Sequence, residues 1–358
     1  MDFSKPTECK CFAALQPNGP IVPHTITRRA CHDNDVVIDI QYAGICHSDI
    51  HQVREEWDKG IFPMVPGHEI VGHVVAVGKN VQKFKVGDIA GVGCMVDSCR
   101  ACTQCKLSEE QFCANGCTFT YNGMHTYDHS VEKGQPTYGG YSKHIVVDQA
   151  FVLSIPSNLD LAAAAPLLCA GITTSSPLLK FGLKPGMRFG VAGLGGLGHM
   201  GVKFGKAMGC HTTVISRGTG KRSAALDKLK ADAYLDIKDD DAVKEAKGKF
   251  DFILNTISAD YDVNQYIDLL SFEGKMIFVG VPPNKQPLHL GGLIFQRKMI
   301  GGSLIGGIKE TQEMLDFCGK HNIVCDIELV TAEKIDEMYD RVVKADVQYR
   351  AVIDMTKV

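Results

Sequence analysis

The spacing of apolar and polar residues changes near residue 157, and it predicts a different kind of structure on each side. Before that point, short runs rich in β-branched residues, such as Val36–Ile40 and Ile145–Val147, alternate with Gly, Pro, Cys and His. Short strands separated by turn residues are typical of an irregular, β-rich domain. We therefore predict a first domain over residues 1–157.

Residues 158–296 instead alternate between strand-like and helix-like patterns. This alternation predicts an α/β domain with a doubly wound parallel sheet. The strand candidates are Phe189–Ala192, Thr213–Ser216, Phe252–Asn255 and Met276–Val279, and the helix candidates are Lys221–Lys230 and Val263–Leu270.

The pattern changes again in the last part of the chain, residues 297–358. Amphipathic helices are predicted at Glu310–His321 and Ile335–Ala345. We expect them to return to the first domain, so that the α/β domain is an insertion within it.

Length and charge restrict the class of protein. At roughly 100–200 residues per domain, a chain of 358 residues accommodates two domains. Lys and Arg total 38 against 41 Asp and Glu, and the formal charge of −3 provides no long-range attraction for a polyanion. Nucleic acid is therefore not expected as a partner.

Neither a signal peptide nor a membrane-spanning segment is expected. The N-terminal sequence MDFSKPTECKCF lacks an apolar core, and the longest nearly uncharged stretch, residues 161–179, contains Pro, Gly and several Ser or Thr residues. Fourteen cysteines in such a chain favour a reducing compartment, where clustered thiolates bind metal more often than they form disulfides. We therefore expect a cytoplasmic protein.

Four cysteines within residues 94–117 have the spacing of a metal site. A CxxCxxC triplet is followed by a fourth thiol, which gives Cys99, Cys102, Cys105 and Cys113. Random placement of 14 cysteines would produce only about 0.02 such triplets in a chain of this length. Four thiolates complete a tetrahedron around Zn²⁺ and leave no open position, which predicts a structural zinc. An iron–sulfur cluster and buried structural cysteines are the alternatives.

A glycine-rich turn follows the first predicted strand of the α/β domain. About 0.4 GxGxxG matches are expected by chance from the 37 glycines of the chain, so the motif alone decides little. Here it lies between a strand and a helix, where close approach of backbone N–H groups to a pyrophosphate is possible. The turn consists of Gly193, Leu194, Gly195, Gly196, Leu197 and Gly198.

The second predicted strand of that domain ends without a carboxylate. NAD-selective sites place Asp or Glu about 20 residues beyond the glycine turn, where this residue binds the ribose 2′-hydroxyl. This chain has Ser216, Arg217 and Lys221 in that region and no acid before Asp227. A hydroxyl and cations can bind the 2′-phosphate that a carboxylate would repel, so NADP(H) is the predicted cofactor. The alternative is a solvated basic turn.

Further motifs relate the chain to a known family. The segment GHEIVGHVVAVGKNV follows the pattern GHExxGxxxxxGxxV, GICHSDIH precedes it, and LLCAGIT, GGIKETQEMLDFC and YRAVIDM follow in order. Together with the four-cysteine segment, these motifs resemble the zinc-dependent medium-chain alcohol dehydrogenases, and within them the cinnamyl-alcohol-dehydrogenase-like branch. The resemblance covers nearly the whole chain. It implies a GroES-like, β-rich catalytic domain with an inserted Rossmann domain.

The resemblance also implies a second, catalytic zinc, although spacing alone does not require its ligands to converge. Those ligands would be Cys46, His68 and Cys169, with water, substrate or Glu69 in the fourth position, which is the open arrangement that catalytic zinc needs. Two Zn²⁺ ions per subunit are then expected. Asp49 would orient His68, and Ser48 and His51 would relay a proton. Cofactor contacts are implied for His47, Thr173, Val279 and Arg350.

The substrates of the branch are aldehydes and primary alcohols of aliphatic, benzylic and cinnamyl type. Candidate residues of the substrate pocket are Trp57, Phe119 and Leu304. We expect an NADP-dependent zinc oxidoreductase that acts mainly as an aldehyde reductase. A specialised reductase of conjugated enal or iminium substrates is one alternative, and a non-enzymatic zinc- and nucleotide-binding structural or sensor protein is another. The resemblance also implies a homodimer, in which an edge strand over residues 299–304 pairs with its symmetry mate.

Overall fold

The computed structural model describes all 358 residues, and the chain divides into two compact units. The first unit consists of Met1–Ile172 and Gly306–Val358, and the second consists of Thr173–Ile305. The predicted domain boundaries were 157/158 and 296/297, and both boundaries between the units, 172/173 and 305/306, lie later in the chain. The reason for the first is that helix Leu161–Ala164 packs against strands of the first unit. The reason for the second is that strand Met299–Gly302 pairs within the sheet of the second unit.

Seventeen strands are numbered along the chain, and eleven of them belong to the first unit. Its main sheet has the order β16-β17-β3-β4-β5-β9, with β8 also paired to β3, while β1 pairs with β2 and β6 with β7. The strands are β1 Thr7–Ala14, β2 Ile21–Arg28, β3 Asp35–Ile45, β4 Ile70–Val77, β5 Ile89–Val92, β6 Met95–Asp97, β7 Thr118–Phe119, β8 His144–Asp148, β9 Leu153–Ser154, β16 Ile327–Val330 and β17 Arg350–Asp354.

The second unit contains one sheet of six parallel strands. Its order is β12-β11-β10-β13-β14-β15, and this order reverses direction between β10 and β13. In open α/β sheets, ligands bind at such a switch point. The doubly wound sheet predicted from the sequence is therefore confirmed. Its strands are β10 Arg188–Ala192, β11 His211–Ser216, β12 Ala233–Asp236, β13 Phe250–Asn255, β14 Leu270–Phe278 and β15 Met299–Gly302.

The helices have 4 to 14 residues, and α9 is the longest of them. The two helices near the C-terminus, predicted from amphipathic spacing, are present as α9 and α10, and α9 buries Thr311, Met314, Leu315 and Cys318 along one side. The full set is α1 His47–Val53, α2 Thr103–Lys106, α3 Leu161–Ala164, α4 Ala170–Lys180, α5 Gly198–Ala207, α6 Asp240–Ala246, α7 Val263–Leu269, α8 Gly291–Ile294, α9 Ile308–His321 and α10 Ile335–Val343.

One predicted helix, Lys221–Lys230, is shorter in the structure. The chain is helical over residues 222–228, and Ala224–Lys228 form a π-helical turn. The amide of Leu229 donates to the carbonyl of Ala224, five residues earlier, at 3.1 Å. This bonding widens the turn, and the chain then enters β12, a strand that the sequence pattern did not predict.

None of the helices combines the length and the apolar composition of a membrane span. One bent pair, Leu161–Leu168 followed by Ala170–Lys180 at an angle of 54°, meets the length and composition criteria together.

Candidate functional site

Four buried side chains from separate parts of the first unit converge on one point. Cys46 precedes α1, His68 and Glu69 precede β4, and Cys169 precedes α4, and their candidate ligand atoms all lie within 4.8 Å of one another. The sulfur atoms of Cys46 and Cys169 are 4.0 Å apart. Two thiolates on a tetrahedral zinc are about 3.8 Å apart when the Zn–S bonds are about 2.3 Å. The donor set and its spacing therefore fit Zn²⁺.

Asp49 connects the two segments that carry three of these side chains. Its carboxylate is fully buried, and it accepts hydrogen bonds from the backbone amides of Cys46 at 2.8 Å and Gly67 at 3.2 Å. Its Oδ1 also lies 3.3 Å from Nδ1 of His68. A carboxylate on the far nitrogen fixes the tautomer and the ring orientation of a metal-binding imidazole. This geometry suits the role that the sequence analysis expected of Asp49.

Glu69 is paired with Arg350, and both side chains are buried. Burial raises the pKa of Glu69 to about 7, although the positive charge of Arg350 acts in the opposite direction. The second carboxylate oxygen of Glu69 makes no hydrogen bond. The Arg350 guanidinium is thus held by Glu69, one of the four converging side chains. The expected approach of Arg350 to the cofactor stays a prediction.

Three rings, two from α1 and one from the residues that follow it, form a stack. His51 stacks on His47 and on Trp57, with 4.5 Å between ring centroids in both cases, and its Nδ1 pairs with the Glu56 carboxylate. Burial and the nearby charge of His51 lower the pKa of His47. Glu56 is a partner that the sequence analysis missed, although it lies only five residues after His51.

The four-cysteine segment forms the second candidate metal centre. The sulfur atoms of Cys99 and Cys105 are 3.9 Å apart, those of Cys102 and Cys105 are 3.5 Å apart, and those of Cys102 and Cys113 are 3.9 Å apart. Backbone N–H groups donate to these sulfurs, and those of Ala101 and Cys102 lower the pKa of Cys99 to about 6. Four thiolates at tetrahedral spacing fill the coordination shell of zinc.

In the second unit, the glycine-rich turn lies between β10 and α5, at the switch point of the sheet. Gly193 has a φ of +89°, and a Cβ on Gly198 would lie 2.1 Å from the carbonyl oxygen of Gly193. Both positions therefore require glycine, and the turn brings its backbone close to the start of the helix.

The second strand, β11, ends at Ser216, as predicted. The Lys221 ammonium donates to the carbonyl of Leu194 at 2.7 Å and so connects the loop after β11 to the glycine turn. Burial lowers the pKa of Lys221, and the charge of Arg217 lowers it further. A carboxylate missed by the sequence analysis, Asp236 at the end of β12, accepts from the amide of Gly218 at 2.7 Å.

Comparisons with known proteins agree with this geometry. The sequence profile of the alcohol dehydrogenase GroES-like domain matches residues 32–157, and that of the zinc-binding dehydrogenases matches residues 196–320. Cinnamyl alcohol dehydrogenase 8 of Arabidopsis thaliana is 50% identical over 345 residues, which are 96% of this chain and 94% of that protein. The chain belongs to the zinc-binding alcohol dehydrogenases. It is therefore an oxidoreductase.

Two further relatives support this membership of the alcohol dehydrogenases. NADP-dependent alcohol dehydrogenase C of Mycobacterium bovis is 48% identical over 345 residues, covering 96% of this chain and 98% of that protein. The crystal structure of the cinnamyl alcohol dehydrogenase from Helicobacter pylori, complexed with NADP(H), superposes with a TM-score of 0.90 at 44% identity. The superposition covers 98% of this chain and 99% of the H. pylori chain.

Other side chains of this alcohol dehydrogenase surround the two centres, and the sequence analysis assigned them no role. Cys94, treated as an ordinary small residue, lies beside Cys169, and a hydrogen bond between the two thiols lowers the pKa of Cys94. At the four-cysteine centre, the Tyr127 hydroxyl lies 3.5 Å from the Cys113 sulfur. Neither residue falls within a recognisable spacing motif, so only the fold identifies them.

The three candidate residues of the substrate pocket are about half exposed to solvent. The exposed fractions are 51% for Trp57, 46% for Phe119 and 49% for Leu304. Trp57 contacts the His51 ring, which argues against a role in core packing. Thr173 is buried, and Val279 follows the last residue of β14. The substrate and cofactor roles of all five residues stay predictions.

Proposed function

We propose that this alcohol dehydrogenase uses NADPH to reduce aldehydes of aliphatic, benzylic or cinnamyl type to primary alcohols. The observation that carries the proposal is the convergence of Cys46, His68 and Cys169 in one buried cluster. Two thiolates and an imidazole leave one position on a tetrahedral zinc for an oxygen ligand. Zinc bound there would act as a Lewis acid that polarises the carbonyl oxygen of the aldehyde.

The protein's own side chains supply the proton that the reduction consumes. Ser48 Oγ lies 3.6 Å from the Cys46 sulfur, so its hydroxyl is beside the proposed zinc ligands. His51 lies on the same helix, where Glu56 orients its Nδ1. We therefore assign Ser48 as the group that donates a proton to the developing alkoxide and His51 as the group that replaces it from solvent. NADPH, when bound by the second unit, would supply the hydride that the reduction consumes.

Two kinds of residue support the choice of NADP(H). The glycine turn and the start of α5 would bind the pyrophosphate, and Ser216, Arg217 and Lys221 would bind the 2′-phosphate. The relatives from M. bovis and H. pylori, which are described as NADP-dependent and as complexed with NADP(H), point in the same direction. His47, Thr173, Val279 and Arg350 are the further cofactor residues that we propose.

Replacing Ser216 with Asp should shift the cofactor preference towards NADH. The new carboxylate would repel the 2′-phosphate, and hydrogen bonds to a charged group contribute about 1.5–3 kcal/mol. We expect the ratio of kcat/KM for NADPH over that for NADH to fall by about 10–100-fold, measured with one aldehyde at saturation. Ser216→Ala is the matched control, since it removes the hydroxyl without adding charge, and its effect should be smaller. An unchanged ratio in Ser216→Asp would show that the 2′-phosphate binds elsewhere.

A panel of aldehydes with either cofactor tests the proposed function itself. C3 to C10 aliphatic, benzylic and cinnamyl aldehydes should all be reduced at the carbonyl group, faster with NADPH than with NADH. Product analysis on the cinnamyl aldehyde separates the alternatives. A saturated aldehyde as product would favour the specialised reductase of conjugated substrates, and no turnover with any member would favour a non-enzymatic zinc- and nucleotide-binding protein.

We also propose a homodimer formed through β15 of the second unit. This strand is at the edge of the six-stranded sheet, and the apolar side chains of Ile294, Phe295 and Met299 near it are 71%, 83% and 50% exposed. An unpaired edge beside exposed apolar groups can pair with its symmetry mate to form a continuous sheet. Light scattering should give twice the chain mass of 38.9 kDa. A monomer mass at micromolar concentration would contradict this assembly.

A further inference from the structure

A group of buried phenols lies behind the proposed catalytic zinc, on the side of Asp49. Tyr121 follows β7, Tyr141 precedes β8, and Tyr339 lies in α10. Their exposed fractions are 6%, 0% and 5%. Three phenols from three distant segments thus surround one carboxylate. The mechanism derived above uses none of them.

Tyr141 contacts Asp49 directly. Its hydroxyl donates to Asp49 Oδ2 at 3.0 Å, and the same oxygen accepts from the amide of Cys46 at 2.8 Å. The other oxygen, Oδ1, accepts from the amide of Gly67 and faces Nδ1 of His68. Each carboxylate oxygen therefore has one backbone partner and at least one side-chain partner, and Tyr121 also interacts with this carboxylate. The Tyr141 hydroxyl is the side-chain partner on the oxygen that does not face His68.

The surroundings keep Tyr141 a hydrogen-bond donor. Burial raises the pKa of its phenol well above the ordinary value, and the negative charge of Asp49 adds to this effect. The Tyr141 ring also fills the space beside Gly67, where an added Cβ would lie 2.7 Å from the ring. The ring of Tyr121 stacks on His68 with centroids 5.7 Å apart and planes 16° apart. The imidazole is thus held both by its face and through Nδ1.

We propose that Tyr141 is a positioning residue for the catalytic zinc site. Its hydroxyl holds the Asp49 carboxylate in the orientation that directs His68 towards the metal. Outer partners of metal ligands commonly contribute about 10–100-fold to metal affinity or activity, because they fix the orientation and basicity of the ligand. Without the Tyr141 hydroxyl, Oδ2 of Asp49 loses one of its hydrogen-bond donors, and the carboxylate is held less firmly opposite Nδ1 of His68. The direction of the imidazole would then be less well fixed. This inference rests on the assignment of His68 as a zinc ligand in the proposed function.

The test compares Tyr141→Phe with Tyr339→Phe in the full-length protein. Both changes remove one buried phenolic hydroxyl near Asp49 and keep the ring, but the Tyr339 hydroxyl interacts with that of Tyr141 and makes no hydrogen bond to Asp49. Titration of the zinc-loaded protein with a competing chelator should show about 10–100-fold weaker zinc affinity at one of two sites in Tyr141→Phe. Tyr339→Phe should retain the wild-type affinity. In Tyr141→Phe, kcat should fall while KM for the aldehyde changes little, and the visible spectrum of the Co²⁺-substituted protein should shift.

A double-mutant cycle with Asp49→Asn separates positioning from simple packing. If Tyr141 acts through the carboxylate, Tyr141→Phe should have little further effect on zinc affinity when Asn already replaces Asp49. Additive effects in the cycle, wild-type zinc affinity in Tyr141→Phe, or equal weakening in Tyr339→Phe would each overturn the proposal. Zinc affinity is measured without turnover, so an inactive wild-type protein would contradict the proposed function but not this role.

Discussion

Replacing Cys169 with Ser should lower kcat/KM for aldehyde reduction by roughly 10³-fold or more while leaving the chain folded. Serine is close to cysteine in size, but its hydroxyl is a far weaker zinc ligand than a thiolate. The Lewis-acid contribution of zinc is worth several kcal/mol, and about 1.4 kcal/mol corresponds to a factor of ten in rate. Steady-state kinetics with NADPH and circular dichroism on the same sample check both parts of this expectation.

Cys318→Ser is the matched control for Cys169→Ser. Cys318 is also a fully buried cysteine of the first unit, but its sulfur contacts Met314 in α9 and no member of the converging cluster. This variant should retain most of the activity. Cys169→Ser with more than a tenth of the wild-type activity would show that Cys169 does not hold the reactive metal.

The second large effect is expected on stability. Cys102→Ser should remove the structural zinc, lower the midpoint of thermal unfolding by several degrees or more, and expose the segment around it to protease. Zinc binding and folding are coupled in four-ligand sites, where the apparent binding free energy reaches about 10–16 kcal/mol in zinc-finger peptides. Differential scanning calorimetry measures the unfolding. Limited trypsin digestion should cleave after Arg100 and Lys106, which lie between the four cysteines.

The loss of this zinc should also weaken the attachment of the first turn of α9. The Glu110 carboxylate, within the four-cysteine segment, accepts a hydrogen bond from the amide of Ile308 at 3.0 Å, in the first turn of that helix. Cys117→Ser is the matched control, since Cys117 lies in the same part of the chain but outside the four-cysteine set. It should unfold at the wild-type temperature. If Cys102→Ser and Cys169→Ser lowered the midpoint equally, the division into a structural and a catalytic metal would be contradicted.

The features predicted from sequence were those that depend on local spacing. The CxxCxxC triplet brings three thiols onto a short segment, so Cys99, Cys102 and Cys105 could be recognised without knowledge of the fold. The strands β10, β11, β13 and β14 were predicted because their apolar runs are buried on both faces of the sheet. β12 was missed since its four residues, AYLD, carry no comparable pattern.

The features that sequence could not supply depend on contacts between distant segments. Cys46 and Cys169 are 123 positions apart, and the resemblance to the family, not their spacing, suggested that they meet. The pairing of Arg350 with Glu69 joins residues 281 positions apart, and no spacing in the sequence suggested it. Tyr141 lies 92 positions from Asp49 in an ordinary GGYS sequence. The pairing of β3 with β4, β8 and β17 in one sheet brings such segments together.

Elemental analysis of the purified protein tests the central claim most directly, namely that Cys46, His68 and Cys169 hold a zinc distinct from that of the four-cysteine segment. Mass spectrometry of metal content against protein concentration should give two zinc ions per chain in the wild type. It should give one in Cys169→Ser, with the four-cysteine zinc retained. A single zinc in the wild type, or two in Cys169→Ser, would contradict the account.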